Sequence, residues 1–193
     1  MEIIFATANR HKLKEAQSIA GTEFQLLSSA SLGVTEDIEE TGATLKENAL
    51  IKAKYLWEKF GRPCFADDTG LEIDALEGRP GVYSARYSGE GCSFADNVQK
   101  VLKEMNGITN RGARFKTIVA LITDGTPHFF EGCVEGTITE TTSGEKGFGY
   151  DPVFKPAGYN TTMAEMSEEE KNRISHRGIA VTKMIEYLRQ YNK

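Results

Sequence analysis

At residues 63–70 the chain reads Pro63-Cys64-Phe65-Ala66-Asp67-Asp68-Thr69-Gly70. The apolar first half predicts the end of a strand, and the second half brings two neighbouring carboxylates, a hydroxyl and a glycine. Because successive side chains of a strand face opposite ways, one Asp can point into a cleft while the other braces the backbone. Such a carboxylate suits a Mg2+ ion or a general base. Taken alone, the stretch favours an ordinary acidic turn, since Asp, Thr and Gly are turn formers.

Composition predicts one globular domain that spans residues 1–193. The chain is 39% hydrophobic and 26% charged, and its 193 residues are enough to bury a core. The net charge of −5 argues against a partner that is a nucleic-acid polymer or an anionic membrane, because binding to either needs a basic face. A local basic pocket for one small anion remains compatible with that charge.

Cysteine usage and the amino terminus indicate a cytoplasmic protein. The three cysteines, Cys64, Cys92 and Cys133, are odd in number and share no metal-ligand spacing, which favours free thiols in a reducing compartment. The first residues, Met1-Glu2-Ile3-Ile4-Phe5, have no basic segment before an apolar one. We therefore expect no signal peptide and no membrane span.

Strand and helix patterns alternate along the chain, which predicts the α/β class with a mixed central sheet and flanking helices. Strands are expected at 2–6, 24–27, 71–74, 113–123, 128–133 and 137–141, and extended chain at 152–154. Helices are expected after residue 9, after the capping box Thr44-x-x-Glu47, over 94–105, and from about Ser175, with a second capping box at Ser167-x-x-Glu170. Site-like loops in several parts of the chain favour two lobes around a nucleotide-binding cleft.

Two further candidate sites lie in the first third of the chain. One follows the first strand, where backbone N–H groups at a helix start attract anions and a lysine adds charge for a phosphate; it consists of Thr7, Ala8, Asn9, Arg10, His11 and Lys12. The competing interpretation is a helix cap formed by Asn9. The other is Glu40, which could complete an oxygen site for Mg2+ with Asp68, or simply belong to an acidic loop with Glu36, Asp37 and Glu39. Lys52, inside the next helix, is most simply a surface residue whose stem is buried.

Two candidate sites in the last third could bind a flat ligand. Glycines on either side of Phe148 would let the backbone approach a ring that stacks on that side chain; the stretch is Gly147-Phe148-Gly149-Tyr150-Asp151-Pro152. A turn leading into a strand is the alternative. His176 and Arg177 could donate hydrogen bonds to a base carbonyl, and Lys171 could reach a phosphate or stack on the base. The alternative is a helix start capped by Ser175, with the three charges solvated.

Together these motifs resemble the inosine triphosphate pyrophosphatase family. The matching pieces occur in the family order over the whole chain: Thr7-Ala8-Asn9-x-x-Lys12, Glu40-Thr41-Gly42-x-Thr44-x-x-x-Asn48-Ala49-x-x-Lys52-Ala53, Ala66-Asp67-Asp68-Thr69-Gly70-Leu71, Pro80-Gly81-Val82-Tyr83-Ser84-Ala85-Arg86-Tyr87, Gly147-Phe148-Gly149-Tyr150-Asp151-Pro152 and Ser175-His176-Arg177-Gly178. Two departures are mild. Ala8 stands where the family often has Gly, and Thr69 where it often has Ser.

The resemblance implies hydrolysis of ITP, dITP or XTP between the α and β phosphates. Asp68 would accept a proton from the attacking water and bind Mg2+ with Glu40, and the nucleotide would be bound by Thr7 to Lys12, Thr69, Phe148, Gly149, Tyr150, Asp151, Lys171, His176 and Arg177. The family also suggests a homodimer. A non-catalytic nucleotide sensor on the same fold is the alternative from another class. A general Mg2+-dependent phosphatase ranks third, because the Asp67-Asp68-Thr69 run lacks the Asp-x-Asp spacing of aspartyl-phosphate enzymes.

Overall fold

The structure is a computed structural model that describes residues 1–34, 36 and 38–191, without the side chain of residue 191. Seven strands and five α-helices occur in these residues. In chain order they are β1 (Glu2–Phe5), α1 (Arg10–Ala20), β2 (Gln25–Ser28), α2 (Leu45–Phe60), β3 (Cys64–Ile73), β4 (Pro80–Gly81), α3 (Phe94–Glu104), β5 (Gly112–Ile122), β6 (Pro127–Ile138), β7 (Phe154–Pro156), α4 (Glu168–Ile174) and α5 (His176–Tyr191).

The strands form one mixed sheet, as predicted. Its order is β2-β1-β3-β5-β6-β7, and β4 pairs with β3 off this path. Strand β1 pairs in parallel with both β2 and β3, whereas β3 with β4 and β6 with β7 are antiparallel. Parallel neighbours need crossovers, and α1 and α2 supply them between β1, β2 and β3. The predicted α/β class is therefore confirmed.

The chain divides into two compact units. The first comprises residues 1–68, 117–132 and 176–193, and the second comprises residues 69–116 and 133–175. Strands β3, β5 and β6 each contribute residues to both units.

The described residues of the first unit form two apolar clusters. One joins β1 to α1 and α5 through buried residues such as Ile3, Phe5, Ala16 and Met184, and the rings of Phe5 and Phe65 stack at 4.3 Å. The other buries the apolar face of α2 against the sheet, with Ile4, Ala49, Ala53 and Leu56 at its centre. The buried residues of α1 and α5 both belong to the first cluster.

Helix α2 begins and ends as the sequence predicts. The Thr44 hydroxyl accepts a hydrogen bond from the Glu47 N–H, and the Glu47 carboxylate accepts one from the Thr44 N–H, which completes the capping box. Gly61 ends the helix with φ of 58°, a left-handed conformation that glycine adopts without strain. The polar loop before α2 is described only in part: of the acidic residues predicted there, Asp37 lies outside the described residues.

The second unit has a single apolar cluster among the described residues. It packs α3 against the sheet through Leu71, Val98, Val101 and Phe154, with Phe115 against Phe154 at a ring distance of 4.6 Å. Phe94 is apolar, but it is 49% exposed. The reason is its position: it is the first residue of α3, before the buried stripe begins.

Several predicted boundaries were wrong. The acidic turn at 67–70 does not exist, because β3 continues through it from Cys64 to Ile73. The strands expected at 128–133 and 137–141 are one strand, β6, that ends at Ile138. Residues 151–153 form a short 3-10 turn instead of extended chain. In each case pairing within the sheet or packing outweighed a local turn or strand preference.

Candidate active site

Asp67 and Asp68 lie in the middle of β3, so their side chains point to opposite faces of the sheet, as the alternation of a strand requires. Both side chains are buried, with 1% of Asp67 and 7% of Asp68 exposed. Ionised carboxylates at such depth need partners. Each therefore organises a separate group of charged side chains in the first unit.

Asp67 is held between two cations. Lys12 Nζ donates to Oδ1 at 2.8 Å, and Arg177 Nε donates to Oδ2 at 2.9 Å. Arg177 Nη1 also donates to Glu15 Oε2 at 2.6 Å, so the group contains two anions and two cations. Burial opposes ionisation of Asp67, but Lys12 and Arg177 outweigh it and hold its pKa well below the usual range. Asp67 is thus a structural anion with its charge balanced.

The negative charge of Asp68 is balanced less completely than that of Asp67. Lys52 Nζ lies 3.4 Å from Asp68 Oδ1 and 2.6 Å from Glu40 Oε1, so one ammonium serves two carboxylates. Asp68 Oδ2 is buried and has no hydrogen-bond partner among the described residues. Burial raises the pKa of Asp68 above its usual value, and Glu40 adds to that effect, although Lys52 works against it. The same two carboxylates raise the pKa of Lys52 despite its burial.

Lys52 is therefore not the partly solvated surface residue that its helical position suggested. Only 9% of it is exposed, because it lies on the buried face of α2 with Asn48, Ala49 and Ala53. A lysine in that position needs anions close by, and Glu40 and Asp68 provide them.

The oxygen atoms around Lys52 fit Mg2+ in its usual manner of binding. This ion is commonly held by one or two carboxylates together with substrate phosphates and waters. Glu40 and Asp68 are such a pair, and the buried Oδ2 of Asp68 is a carboxylate oxygen that makes no hydrogen bond within the described part of the chain. Among those residues, no group of three or more His, Cys, Asp or Glu side chains could hold a metal without other ligands.

The start of α1 is a capped helix end. Asn9 Oδ1 accepts hydrogen bonds from the N–H groups of His11 at 2.9 Å and Lys12 at 3.3 Å, while Thr7 Oγ1 accepts one from the Asn9 N–H. The capping interpretation is therefore realised. Ala8, Arg10 and His11 are exposed, and the charge of Lys12 is directed to Asp67. Binding of a phosphate at this helix start stays a prediction.

The second unit holds the predicted aromatic platform. Asp151 carboxylate oxygen Oδ2 accepts from Lys171 Nζ at 2.7 Å and from the Phe148 N–H at 2.8 Å. The Lys171 ammonium also lies 4.8 Å from the centre of the Phe148 ring. A Cβ atom at Gly147 would come within 2.1 Å of Asp151 Oδ2, so this glycine is needed for the loop to fold around the carboxylate.

The remaining predicted residues are placed as follows. Tyr150 is buried and donates to the Ser84 carbonyl at 2.8 Å. Gly149 has φ of 63° and Thr69 is partly exposed on β3. His176 is 5% exposed at the start of α5, where a Cβ at Gly132 would lie 1.9 Å from its carbonyl oxygen.

Two residues of the charged groups were not singled out from the sequence. Glu15 contacts Arg177 across 162 positions of the chain, a distance at which no local pattern signals a pair. Asn48 is a polar residue in the apolar stripe of α2, and its Oδ1 accepts from the Gly42 N–H at 2.8 Å. The available signal for Asn48 was its position four residues before Lys52, which places both polar side chains on the same face of the helix.

Comparison with known families decides the identity of this arrangement. A model of the Ham1 family matches residues 3–187. The chain belongs to the Ham1 family. The family resemblance predicted from the motifs is thereby confirmed.

Relatives within this family match the chain over nearly its whole length. A protein named dITP/XTP pyrophosphatase from Christiangramia forsetii is 48% identical and covers 97% of this chain and 99% of its own length. A protein of the same name from Porphyromonas gingivalis is also 48% identical, with 97% of both chains covered. Among solved structures, a HAM1 protein from Coxiella burnetii has a TM-score of 0.90 and 39% identity over 98% of this chain and 99% of its own.

No helix in the described part of this Ham1 family chain combines the length and apolar character that crossing a membrane requires.

Proposed function

We propose that this Ham1 family protein hydrolyses the non-standard purine nucleotides ITP, dITP and XTP to the monophosphate and pyrophosphate. The pair formed by buried Asp68 and half-buried Glu40 around Lys52 is the observation that carries the proposal. Two family members that are 48% identical bear the name dITP/XTP pyrophosphatase, which supports the same substrates here. Removal of these nucleotides from the cytoplasmic pool by a homodimer is part of the proposal.

In this proposal Asp68 takes a proton from the attacking water. Its raised pKa makes it a better base than an exposed aspartate, and its Oδ2 makes no hydrogen bond within the described residues. Glu40 and Asp68 would hold Mg2+, which would offset phosphate charge and orient the water. Lys52 holds both carboxylates in place through contacts to each. Catalysis then depends mainly on positioning and electrostatic stabilisation.

The substrate would be bound by two groups of residues. Thr7 to Lys12, together with Thr69, would bind the triphosphate. The base would stack on Phe148, next to Lys171, with Gly149, Tyr150 and Asp151 completing the platform. His176 and Arg177 would donate to the 6-carbonyl, for which the Arg177 guanidinium would have to give up part of its contact with Asp67 or Glu15. Adenine presents an amino group there and leaves donors unpaired, a mismatch that can discriminate by about 10⁴-fold.

Pyrophosphate release tests the proposal directly. The purified protein is incubated with ITP, dITP, XTP, ATP and GTP, with and without Mg2+, and both pyrophosphate and orthophosphate are measured. We expect pyrophosphate from ITP, dITP and XTP only when Mg2+ is present. Orthophosphate alone would instead indicate a phosphatase that removes the terminal group, and binding of ITP without any product would indicate a nucleotide sensor.

A further inference from the structure

Asn48 connects the loop that carries Glu40 to helix α2. Its side chain is fully buried, and its Oδ1 accepts a hydrogen bond from the Gly42 N–H at 2.8 Å. Because only the oxygen of an amide can accept, this bond fixes which way the amide is turned. Gly42 lies two residues after Glu40, so the bond restrains the backbone next to that carboxylate.

The contact between the loop and the helix is close. A Cβ atom at Gly42 would lie 2.6 Å from Asn48 Oδ1 and 2.9 Å from the Asn48 backbone nitrogen. A side chain at position 42 would therefore push the loop away from α2. The same helical face carries Lys52 one turn later, and its ammonium contacts both Glu40 and Asp68. Helix α2 thus contacts the Glu40 loop through Glu47, which accepts from the Ala43 N–H, through Asn48 and through Lys52.

Asn48 is a poor choice for stability alone. Its Nδ2 is buried and makes no well-formed hydrogen bond among the described residues, although the Asn48 side chain lies close enough to Asp68 to help lower the pKa of that carboxyl. A buried amide group without a partner costs free energy, so an apolar residue of similar volume would serve the fold about as well. Gly42 is only partly buried, so its N–H could turn to water if the loop moved. The bond to Gly42, together with the effect of the Asn48 side chain on Asp68, therefore accounts for the presence of an amide at this position.

We propose that Asn48 is a positioning residue for Glu40, holding the Gly42 amide so that the Glu40 carboxylate stays next to Lys52. The expected effect on Mg2+ rests on the proposed function, but the restraint that Asn48 places on the Gly42 amide can be measured separately. Without the bond, the loop samples more conformations, and the carboxylate must be ordered each time that Mg2+ binds. Residues that orient a metal ligand in this way typically contribute about 10-fold to 100-fold in metal affinity.

Asn97 provides a matched control. It is also a buried asparagine on a helix, α3, and it also holds loop backbone: its Oδ1 accepts from the Ser88 N–H at 2.7 Å and its Nδ2 donates to the Ala85 carbonyl at 3.1 Å. Both ends of its amide therefore bind loop backbone. Replacing it by leucine should therefore destabilise the fold while leaving the response to Mg2+ unchanged.

The experiment compares Asn48→Leu with Asn97→Leu and with the unchanged protein. For Asn48→Leu we expect amide hydrogen exchange around Gly42 to become at least about 10-fold faster and the Mg2+ concentration for half-maximal pyrophosphate release from ITP to rise about 10-fold. The unfolding midpoint should change little. Calorimetric titration of Mg2+ into the protein with a nucleotide analogue that has a non-hydrolysable α–β bridge should show the same weaker binding without turnover.

Asn48→Asp is the conservative variant, because its carboxylate still accepts from Gly42, and it should restore slow exchange there. Unchanged exchange at Gly42 in Asn48→Leu, or an unchanged Mg2+ response, would overturn the inference. Should Asn48→Leu fail to fold, rapid exchange of the Gly42 amide in the unchanged protein or in Asn48→Asp would overturn it equally. Absence of pyrophosphate release by the unchanged protein would instead refute the proposed function, while the exchange data would still decide the anchoring.

Discussion

Asp67 and Asp68 are neighbours in β3, yet their electrostatic surroundings differ. Asp67 has two cations within hydrogen-bond distance, and Glu15 balances the second of them. Asp68 shares Lys52 with Glu40, and burial raises its pKa. The difference shows how one strand can carry an anion that stabilises the fold beside one suited to accept a proton. The alternation of side chains separates the two roles by one residue.

The largest expected effect comes from Asp68→Asn. This change removes the proposed proton acceptor and a metal ligand, so we expect turnover of ITP to fall by about 10³-fold or more. Stability should be retained, because a buried carboxylate with a raised pKa does not favour folding at neutral pH. Pyrophosphate release and urea unfolding measure the two quantities. Turnover near that of the unchanged protein would show that Asp68 is not the base.

Asp67→Asn should lower stability strongly and activity only moderately, the reverse of Asp68→Asn. It leaves Lys12 and Arg177 without their shared carboxylate, and removing one partner of a buried ion pair typically costs about 3 to 5 kcal/mol of stability. We expect a large drop in the free energy of unfolding, measured in urea. Activity per folded molecule should fall much less than in Asp68→Asn. A stability equal to that of Asp68→Asn would remove the distinction between the two carboxylates.

Replacing the lysines sharpens the comparison further. Lys52→Met leaves Glu40 and Asp68 facing each other, which should cost about 1 to 3 kcal/mol of stability. Added Mg2+ should recover part of that loss, since a cation then lies between the carboxylates again. Lys12→Met should also destabilise, but Mg2+ should not recover it, because Arg177 still occupies Asp67. Thermal unfolding with and without Mg2+ tests this, and equal recovery in both variants would contradict the proposed metal site.

The smallest expected effect is in the pH dependence of stability without metal. The pKa of Asp67 lies below its ordinary value of 3.8, so its contribution is present above that pH and is lost as the pH falls through the lowered pKa. The pKa of Asp68 lies above 3.8, so its contribution is present below that pH and is lost as the pH rises through the raised pKa.

These opposite slopes can be measured against the asparagine variants. In urea unfolding with a chelator from about pH 3 to about pH 7, the advantage of the unchanged protein over Asp67→Asn should grow with pH, and its advantage over Asp68→Asn should shrink. Each unit by which a pKa differs between the folded and unfolded states changes the free energy of unfolding by about 1.4 kcal/mol across this pH range. Parallel curves for the two variants would contradict the assignment of opposite pKa directions.

Sequence reasoning reached part of this picture. The alternation of a strand placed Asp67 and Asp68 on opposite faces, and the capping box fixed the start of α2. The turn expected at 67–70 was wrong because sheet pairing carries β3 through residues that prefer turns in isolation. The buried position of Lys52 was missed because a helical lysine usually reaches solvent, and only the fold brings two carboxylates to it. The contact of Arg177 with Asp67 spans 110 positions and has no local signature.

The division of the chain into units built from separate stretches has a consequence for protein synthesis. Asp67 and Lys12 leave the ribosome long before Arg177, which completes the charge balance of that group only when the start of α5 has been made. A prematurely terminated polypeptide that lacks α5 would contain the proposed base and both metal-site carboxylates, but Asp67 and Glu15 would have only Lys12 to balance them. Such fragments should be degraded as misfolded chains instead of persisting as unregulated hydrolases.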